Sequence, residues 1–358
     1  MCGTAARQAM MLTAVTPDAL VPQSHPIRQI KPMVDAALAK LSPVFNQMYA
    51  EGGRPSIPPE HLLKGCLLIA LFSVRSERQF CERLQYDLLF KWFLDLNILD
   101  PAFEHSVFSK NKDRLLEHEV VREFFVAIVD EARQRKLLLE EHFTVDGTLL
   151  EAWASMKSIR AKDGGQDTPG DGGCNPDVDF RGEQRTNATH ASTTDPEALL
   201  ARNGPGREAK LCFAGHVLMD NRQGLVVDVQ ITQATGTAER DTALDMLQAV
   251  PGSCHLTVGA DKGYDTKDFV RECRDMDITP HVAQKQHSAI DVRTTRHEGY
   301  RISQRIRKRV KEIFGWVKTV AGGRKLRYCG VERNQLWAEV TLAGYNLVRL
   351  AKLTQAPV

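Results

Sequence analysis

Paired cysteines are missing from this sequence, although cysteines are not. Eight stand at 2, 66, 81, 174, 212, 254, 273 and 329, with no CxxC and no CxxC/HxxxH spacing. That excludes a disulfide framework and a zinc ribbon, and the pattern reads as reduced thiols of a cytoplasmic protein. Long hydrophobic runs are missing too. The longest, "CLLIALF" at 66–72, is far too short for a bilayer span, so no membrane partner is expected. The N-terminus carries Arg7 but no apolar run leading to a small-residue cleavage site. Internal repeats are absent, and net charge is only +2 with a pI near 8.1. So weak a balance says little about partners; its distribution says more.

The 358 residues are 42% hydrophobic, ample for a packed interior and long enough for one large domain plus a smaller one. Residues 1–57 hold prolines at 17, 22, 26, 32, 43 and 55, which predicts irregular chain with short helices only. From Pro58 the apolar spacing turns helical: Leu62, Leu63, Cys66, Leu67 and Ala70 share a stripe, and "SERQ" at 76–79 has the form of a capping box. Val120, Val121, Phe124, Phe125, Ile128 and Val129 mark an amphipathic helix within 117–136. Between them "HSVFSKNKDRLLE" predicts a helix with Ser109, Lys110, Lys112 and Arg114 exposed. We read 58–138 as an all-helical domain.

After Leu139 the period shortens. "HFTVDGTLLEAWAS", "KLCFAGHVLMD", "GLVVDVQITQA", "CHLTVGADKGYD" and "ITPHVA" read as strands, with helices at 237–250 and 266–276 between the later ones. This predicts a mixed α/β domain over 139–355. Five glycines and two prolines in "KDGGQDTPGDGGCNP" (162–176) predict a flexible loop within an insertion at about 156–208.

Chemistry-bearing acids are few. Asp146 sits inside the apolar strand "FTVDGTLL", and Asp261 ends the strand "LTVGADKGYD". Each alone reads as a turn or cap aspartate. Together, at the ends of two strands of one sheet, they can converge at one edge, where function concentrates in α/β sheets. A third acid lies in odd company. Residues 301–327 contain ten lysines and arginines and one carboxylate, Glu312. On a helix over 301–320, Glu312 falls away from the stripe Ile302, Ile306, Val310, Ile313, Phe314 and Val317, beside Arg305, Lys308 and Arg309. A surface ion pair is one reading. The other is a site for two divalent cations, about 4 Å apart, made by Asp146, Asp261 and Glu312. Flanking cations would then hold a nucleic-acid backbone beside acids that repel it.

"TVDGTLLEAWAS", "DFRGEQRTNATHASTTDPEALL", "AKLCFAGHVLMDNRQGLVVD", "GTAERDTAL", "GADKGYD", "RKRVKEIFGW" and "LAGYNLVRLAKL" resemble bacterial insertion-sequence transposases of the insertion-sequence-five type, from about residue 55 to the C-terminus. The resemblance implies an RNase H-like mixed sheet with flanking helices and a DDE triad. It also implies Mg²⁺ (or Mn²⁺) as cofactor, and double-stranded DNA, transposon ends and target, as partner. The reaction implied is strand cleavage followed by strand transfer, with a homodimer assembling on DNA. Asp146 and Asp261 match the first two acids. The third is expected in an Arg-x₃-Glu-x₆-Lys arrangement, and that register gives Arg307, Lys311 and Lys318, with Gln304 at the family's tyrosine position. Either Glu312 serves instead, or this chain lacks its third ligand and is an impaired, DNA-binding remnant. A third reading is a metal-dependent nuclease without strand transfer. Arg305, Arg307, Lys308, Arg309 and Lys318, with Lys110, Lys112 and Arg114 of the helical segment, are the expected DNA contacts. His216 reads as a core histidine, Trp316 as packing, and Lys262 and Tyr264 as phosphate contacts or structure in equal measure.

Overall fold

A computed structural model describes residues 16–48, 56–117, 119–138, 141–162, 179–180, 183–204, 206–251 and 256–355. Most of the glycine-rich loop predicted at 162–176 lies outside the described residues. Among them no helix is long and apolar enough to cross a membrane.

Eight helices come first: α1 (Pro17–Leu20), α2 (Ile27–Lys40), α3 (Ser42–Met48), α4 (Pro59–Leu71), α5 (Glu77–Tyr86), α6 (Leu88–Phe93), α7 (His105–Glu117) and α8 (Val120–Gln134). The capping box is present at α5. Ser76 Oγ accepts from Gln79 N at 3.1 Å, satisfying one donor the helix start leaves open, and Gln79 Oε1 reaches back past the cap to accept from Arg75 N at 2.9 Å. In α8 the apolar stripe is fully buried from Val120 to Ala132. The proline-rich start departs from expectation. Helix α2 runs 14 residues straight through Pro32. A proline forfeits one ladder bond there, and the buried stripe Ile27, Ile30, Met33, Val34, Ala37 and Leu38 offsets it.

The second half contains β1 (His142–Glu151), β2 (Ile159–Ala161), β3 (Asp179–Phe180), β4 (Glu183–Gln184), β5 (His190–Ser192), β6 (Leu199–Arg202), β7 (Ala209–Asp220) and β8 (Val226–Gln233). Then follow α9 (Ala238–Gln248), β9 (Thr257–Ala260), α10 (Lys267–Asp275), β10 (Thr279–Val282), α11 (Val292–Thr295), α12 (Glu298–Ile306), α13 (Val310–Thr319) and α14 (Val331–Gln355). The main sheet runs β10-β9-β1-β7-β6, and β8 also pairs with β7. Strand β1 is antiparallel to β7 and parallel to β9, and β9 is parallel to β10. Strand β6 belongs to this sheet, so part of the stretch read as a flexible insertion is structural. Gly224, at φ +68, turns β7 into β8 and donates to Asp220 O at 2.9 Å, a backbone state that favours glycine.

The period-2 rule assigns the faces of β1. Phe143 and Val145 join Val258 and Ala260 of β9 and the buried residues of α9 and α10 in one core. Leu150 points the other way, into a larger core shared by β7, β8, α13, α14 and the N-terminal helices. That core passes without a break from Val21 to Ala351, so the helical segment and the sheet are packed as one body. The basic helix predicted over 301–320 is instead two, α12 and α13, joined by a 3₁₀ turn at Arg307–Arg309. Val310, Ile313 and Val317 are buried, whereas Ile302 is 40% exposed.

Candidate active site

Strands β1 and β9 pair from His142 and Thr257 as far as Thr144 and Gly259; beyond that point their ends are free to carry function. Asp146 and Asp261 follow there. Val145 faces the α9 core, so the alternation of β1 sends Asp146 to the opposite face, beside α13, while Asp261 follows the last residue of β9 and caps the turn after it. Asp146 Oδ1 accepts from Gly147 N at 2.9 Å, and Asp261 Oδ1 accepts from Gly263 N at 2.6 Å, capping a 3₁₀ turn. Asp261 therefore is a turn cap, and it also faces Asp146. Burial, and after it the Asp261 charge, pushes the Asp146 carboxyl up to about 6; Glu239 adds to the rise and Arg307 opposes it.

The second wall is cationic. Gly259 has Arg307 Cβ and Ser303 Oγ close over its face. Arg307 Nε donates to Gln304 Oε1 at 2.7 Å, and Gln304 Nε2 donates to the carbonyls of Ala260 and His281. Lys318 Nζ donates to Thr148 Oγ1 at 2.6 Å, and burial lowers its pKa. Positions 311, 314 and 318 fall on one stripe of α13, and Arg307 lies in the 3₁₀ turn before it. Lys311 is exposed, one turn after Arg307.

Glu312 is elsewhere. It is exposed, about 100° round the helix from Lys311, and its charge acts on Tyr345, whose hydroxyl donates to Gly224 O at 3.3 Å. That is the β7–β8 turn, beside Arg309 and Arg349. The structure does not bring Glu312 to the aspartates. Of the expected DNA contacts, Arg309 donates to the carbonyls of Asn221, Arg222 and Gln223, so it ties down that turn. Lys112 is buried, bonded to Glu77 and stacked 3.9 Å over the Tyr328 ring; it pins α7 to α5 and to the loop before α14, and no DNA phosphate can reach it. Lys110, Arg114, Arg305 and Lys308 lie exposed on the surface. His216 is buried with Nε2 2.8 Å from Thr232 Oγ1. Trp316 packs edge-on to Tyr345 at 5.7 Å. Tyr264 is buried against Phe269.

One acid at the site was absent from the sequence reading. Glu239, in the first turn of α9, places its carboxyl against Gly147: a Cβ on that glycine would lie 2.8 Å from Oε1. A Cβ on Gly263 would lie 3.8 Å from Glu239 Oε2 and 2.9 Å from Asp261 Oδ1. The surrounding protein, then the Asp261 charge, raises the Glu239 pKa, while its side chain stays open to solvent. The available signal was Gly147 itself, since a glycine inside a strand marks a close approach by something else. Among the described residues, no three His, Cys, Asp or Glu side chains close into a ready metal cage. The donors present are carboxylate oxygens whose like charges face one another, which suits a hard divalent cation that keeps most of its waters.

Residues 187–347 match the family profile described as a transposase DDE domain, and residues 15–114 match one described as a transposase domain (DUF772). No curated protein matches the chain. Among solved structures, a piggyBac transposase synaptic complex with hairpin DNA is similar over 92% of this chain and 76% of that one, at 9% identity and a TM-score of 0.41. A Mos1 transposase paired-end complex with the left transposon end is similar over 78% and 83%, at 13% identity and a TM-score of 0.20. A mariner Mos1 paired-end complex with Mg gives 87% and 83%, 11% and 0.21.

Proposed function

We infer that this DNA transposase, an enzyme that cleaves and transfers DNA strands, does its chemistry at Asp146 and Asp261, with Mg²⁺ or Mn²⁺ as cofactor. The observation that carries the reading is the pair itself: two aspartates at the free ends of neighbouring parallel strands, one held up to about 6 by burial and by the other's charge. A facing carboxylate pair without a cation between is unfavourable, and a divalent ion relieves it. When bound, that ion activates the attacking water or 3′-hydroxyl and stabilises the leaving oxygen of the phosphodiester.

The remaining residues position the substrate. Arg307, steadied by Gln304, reaches the aspartates from the opposite wall and holds the scissile phosphate. Lys311 and Lys318 extend that row along β1, and Arg305 and Lys308 add exposed charge for the flanking backbone. Cations placed this way neutralise DNA phosphates that the acids would repel. Double-stranded transposon ends with inverted repeats, and a target duplex, are the substrates. Lys110 and Arg114 on α7 give the helical segment a surface for the repeat, and a homodimer pairs two ends. The order β8-β7-β1-β9-β10, antiparallel then parallel, supports an RNase H-like reading of the sheet. The insertion-sequence-five type follows from the motifs, and a nucleoid location in the cytoplasm follows from the substrate.

A second reading has one observation behind it. Lys311 occupies the position of the family's third acid, as it would in an impaired, DNA-binding remnant. One experiment separates the two. With Mg²⁺ and DNA carrying the flanking repeats, the wild-type chain nicks and joins, whereas Asp146→Ala and Asp261→Ala bind the DNA without nicking it. Nicking by either variant would remove the aspartates from the mechanism; binding without nicking by the wild type would establish the remnant.

A further inference from the structure

We propose that the cleft lined by Trp153, past the far end of β1 from Asp146, holds an unpaired base of the DNA stacked on the indole, with the neighbouring phosphates on the cations around it. The inference rests on the reading of DNA as substrate given above.

Four tryptophans are present, and three of them are packing. Trp92 is buried with Nε1 donating to Asp18 Oδ1 at 2.9 Å, and Trp316 and Trp337 pack against the larger core. Trp153 is 55% exposed. Its backbone is nonetheless fixed. Ala152 and Ala154 on either side are buried, Ala152 N donates to Leu211 O at 2.8 Å, and Leu326 N donates to Glu151 O at 2.7 Å. A rigid segment therefore presents a large apolar ring to solvent. A single exposed indole would carry nothing by itself; its setting does.

Trp153 lines a cleft of about 790 Å³, walled by the start of α5, by α7 and by the loop before α14. The wall carries six cationic side chains and two carboxylates, and both carboxylates are engaged. Glu77 accepts from Lys112, Ser109 and Tyr328, and Asp113 pairs with Arg333 at 3.2 Å. Arg75, Arg78 and Lys110 stand exposed. The cleft thus joins an aromatic face to a surplus of positive charge, the combination that holds a single strand by its phosphates and a base. Bases inside a duplex are stacked on one another and offer the ring no free face, so the cleft selects a base outside the helix. Strand β1 links this cleft to the aspartates. Trp153 follows Asp146 by seven positions, roughly 23 Å of extended chain. Along that length Lys318 is bonded to Thr148, and Arg324 lines the groove beside Leu149 and Glu151.

Binding of the full chain to labelled DNA in EDTA tests the assignment without metal or turnover. The probes are one duplex with a short thymidine overhang and the same duplex with an abasic overhang, which keeps the phosphates and lacks the bases. The wild type is expected to hold the thymidine overhang about tenfold more tightly, the effect of stacking a base. Trp153→Ala should remove that difference, and Trp153→Phe should keep most of it. Because Trp153 is exposed, both variants should unfold at the wild-type urea concentration. Arg75→Ala with Lys110→Ala should weaken both overhangs alike and lower the salt slope by about 2. Equal affinity for the two overhangs in the wild type would overturn the proposal, as would a thymidine preference that survives Trp153→Ala. Either result leaves the aspartate reading, tested by nicking, untouched. A wild-type chain that binds neither duplex would overturn the proposal together with the reading of DNA as substrate.

Discussion

Arg307 does not approach Asp146 freely: its Nε is bonded to Gln304 Oε1 at 2.7 Å, and Gln304 Nε2 is bonded to the Ala260 and His281 carbonyls at the ends of β9 and β10. The cation that faces the acids is thus aimed by the strands that carry them. Removing the Gln304 amide leaves the charge and loses its direction. Gln304→Ala should lower the nicking rate about tenfold, within the range seen when an orienting partner of a functional group is lost, with DNA affinity nearly intact. Arg307→Gln should lower both, and should reduce the slope of log K against log salt by about 1. Equal losses of affinity in the two variants would reject the positioning role.

Asp146 predicts a stability gain from a disabling mutation. Its carboxyl moves from an ordinary 3.8 to about 6 because burial and Asp261 disfavour the charge. Between those values the unfolded chain has released the proton and the folded chain has kept it. Stability therefore falls as pH rises through that window, and the penalty is complete above about 6. Two pKa units correspond to about 3 kcal/mol, of which partial solvation leaves about 2. Asp146→Asn should stabilise the protein by about 1–2 kcal/mol at pH 7 and by nothing at pH 3.5, read by urea unfolding. A variant less stable than wild type at pH 7 would mean the carboxylate is compensated.

Lys112 separates a structural cation from a DNA-binding one. It is 6% exposed, bonded to Glu77, and stacked on Tyr328, whose hydroxyl donates to the same carboxylate at 3.1 Å. Breaking one side of such a pair strands a buried charge and costs about 3 kcal/mol. Lys112→Met should show that loss, and Lys112→Met with Glu77→Gln should recover most of it. Lys110→Ala, at the exposed neighbour, should leave stability unchanged and weaken DNA binding. A stable Lys112→Met variant would contradict the pairing.

What could be read from the sequence was local, and what could not was contact across the fold. Strand β1 shows its alternation in "FTVD" and β8 in "VQIT", β7 shows as an apolar run that is buried along its length, and the capping residues of α5 are visible in "SERQ". Pro32 looked like a helix breaker because the stripe that overrides it matters only once α8 and α14 cover it. Lys112 looked exposed because most helix lysines are, and its burial depends on Tyr328, more than two hundred residues away. Glu312 is the one acid in a basic run, yet one helical step of about 100° separates it from the face that meets the sheet. The approach of Glu239 depends on which helix covers Gly147, and periodicity does not say that.

His216 and His281 set the acid limit of the fold. Burial alone pushes His216 down from an ordinary 6.5 to about 4, and burial with the charges of His142 and His297 does the same to His281. Each leaves Nδ1 buried without a partner. Between 6.5 and 4 the unfolded chain takes up protons that the folded chain refuses, so stability falls as pH drops through that window. The loss amounts to about 3 kcal/mol for each histidine once pH is below 4, a large share of a domain's margin. In urea unfolding from pH 7 to 4, the wild type should lose stability steeply, and His216→Gln should flatten the curve by about half. An unchanged slope would show that His216 takes its proton while folded, and that the β7–β8 packing around it yields to charge.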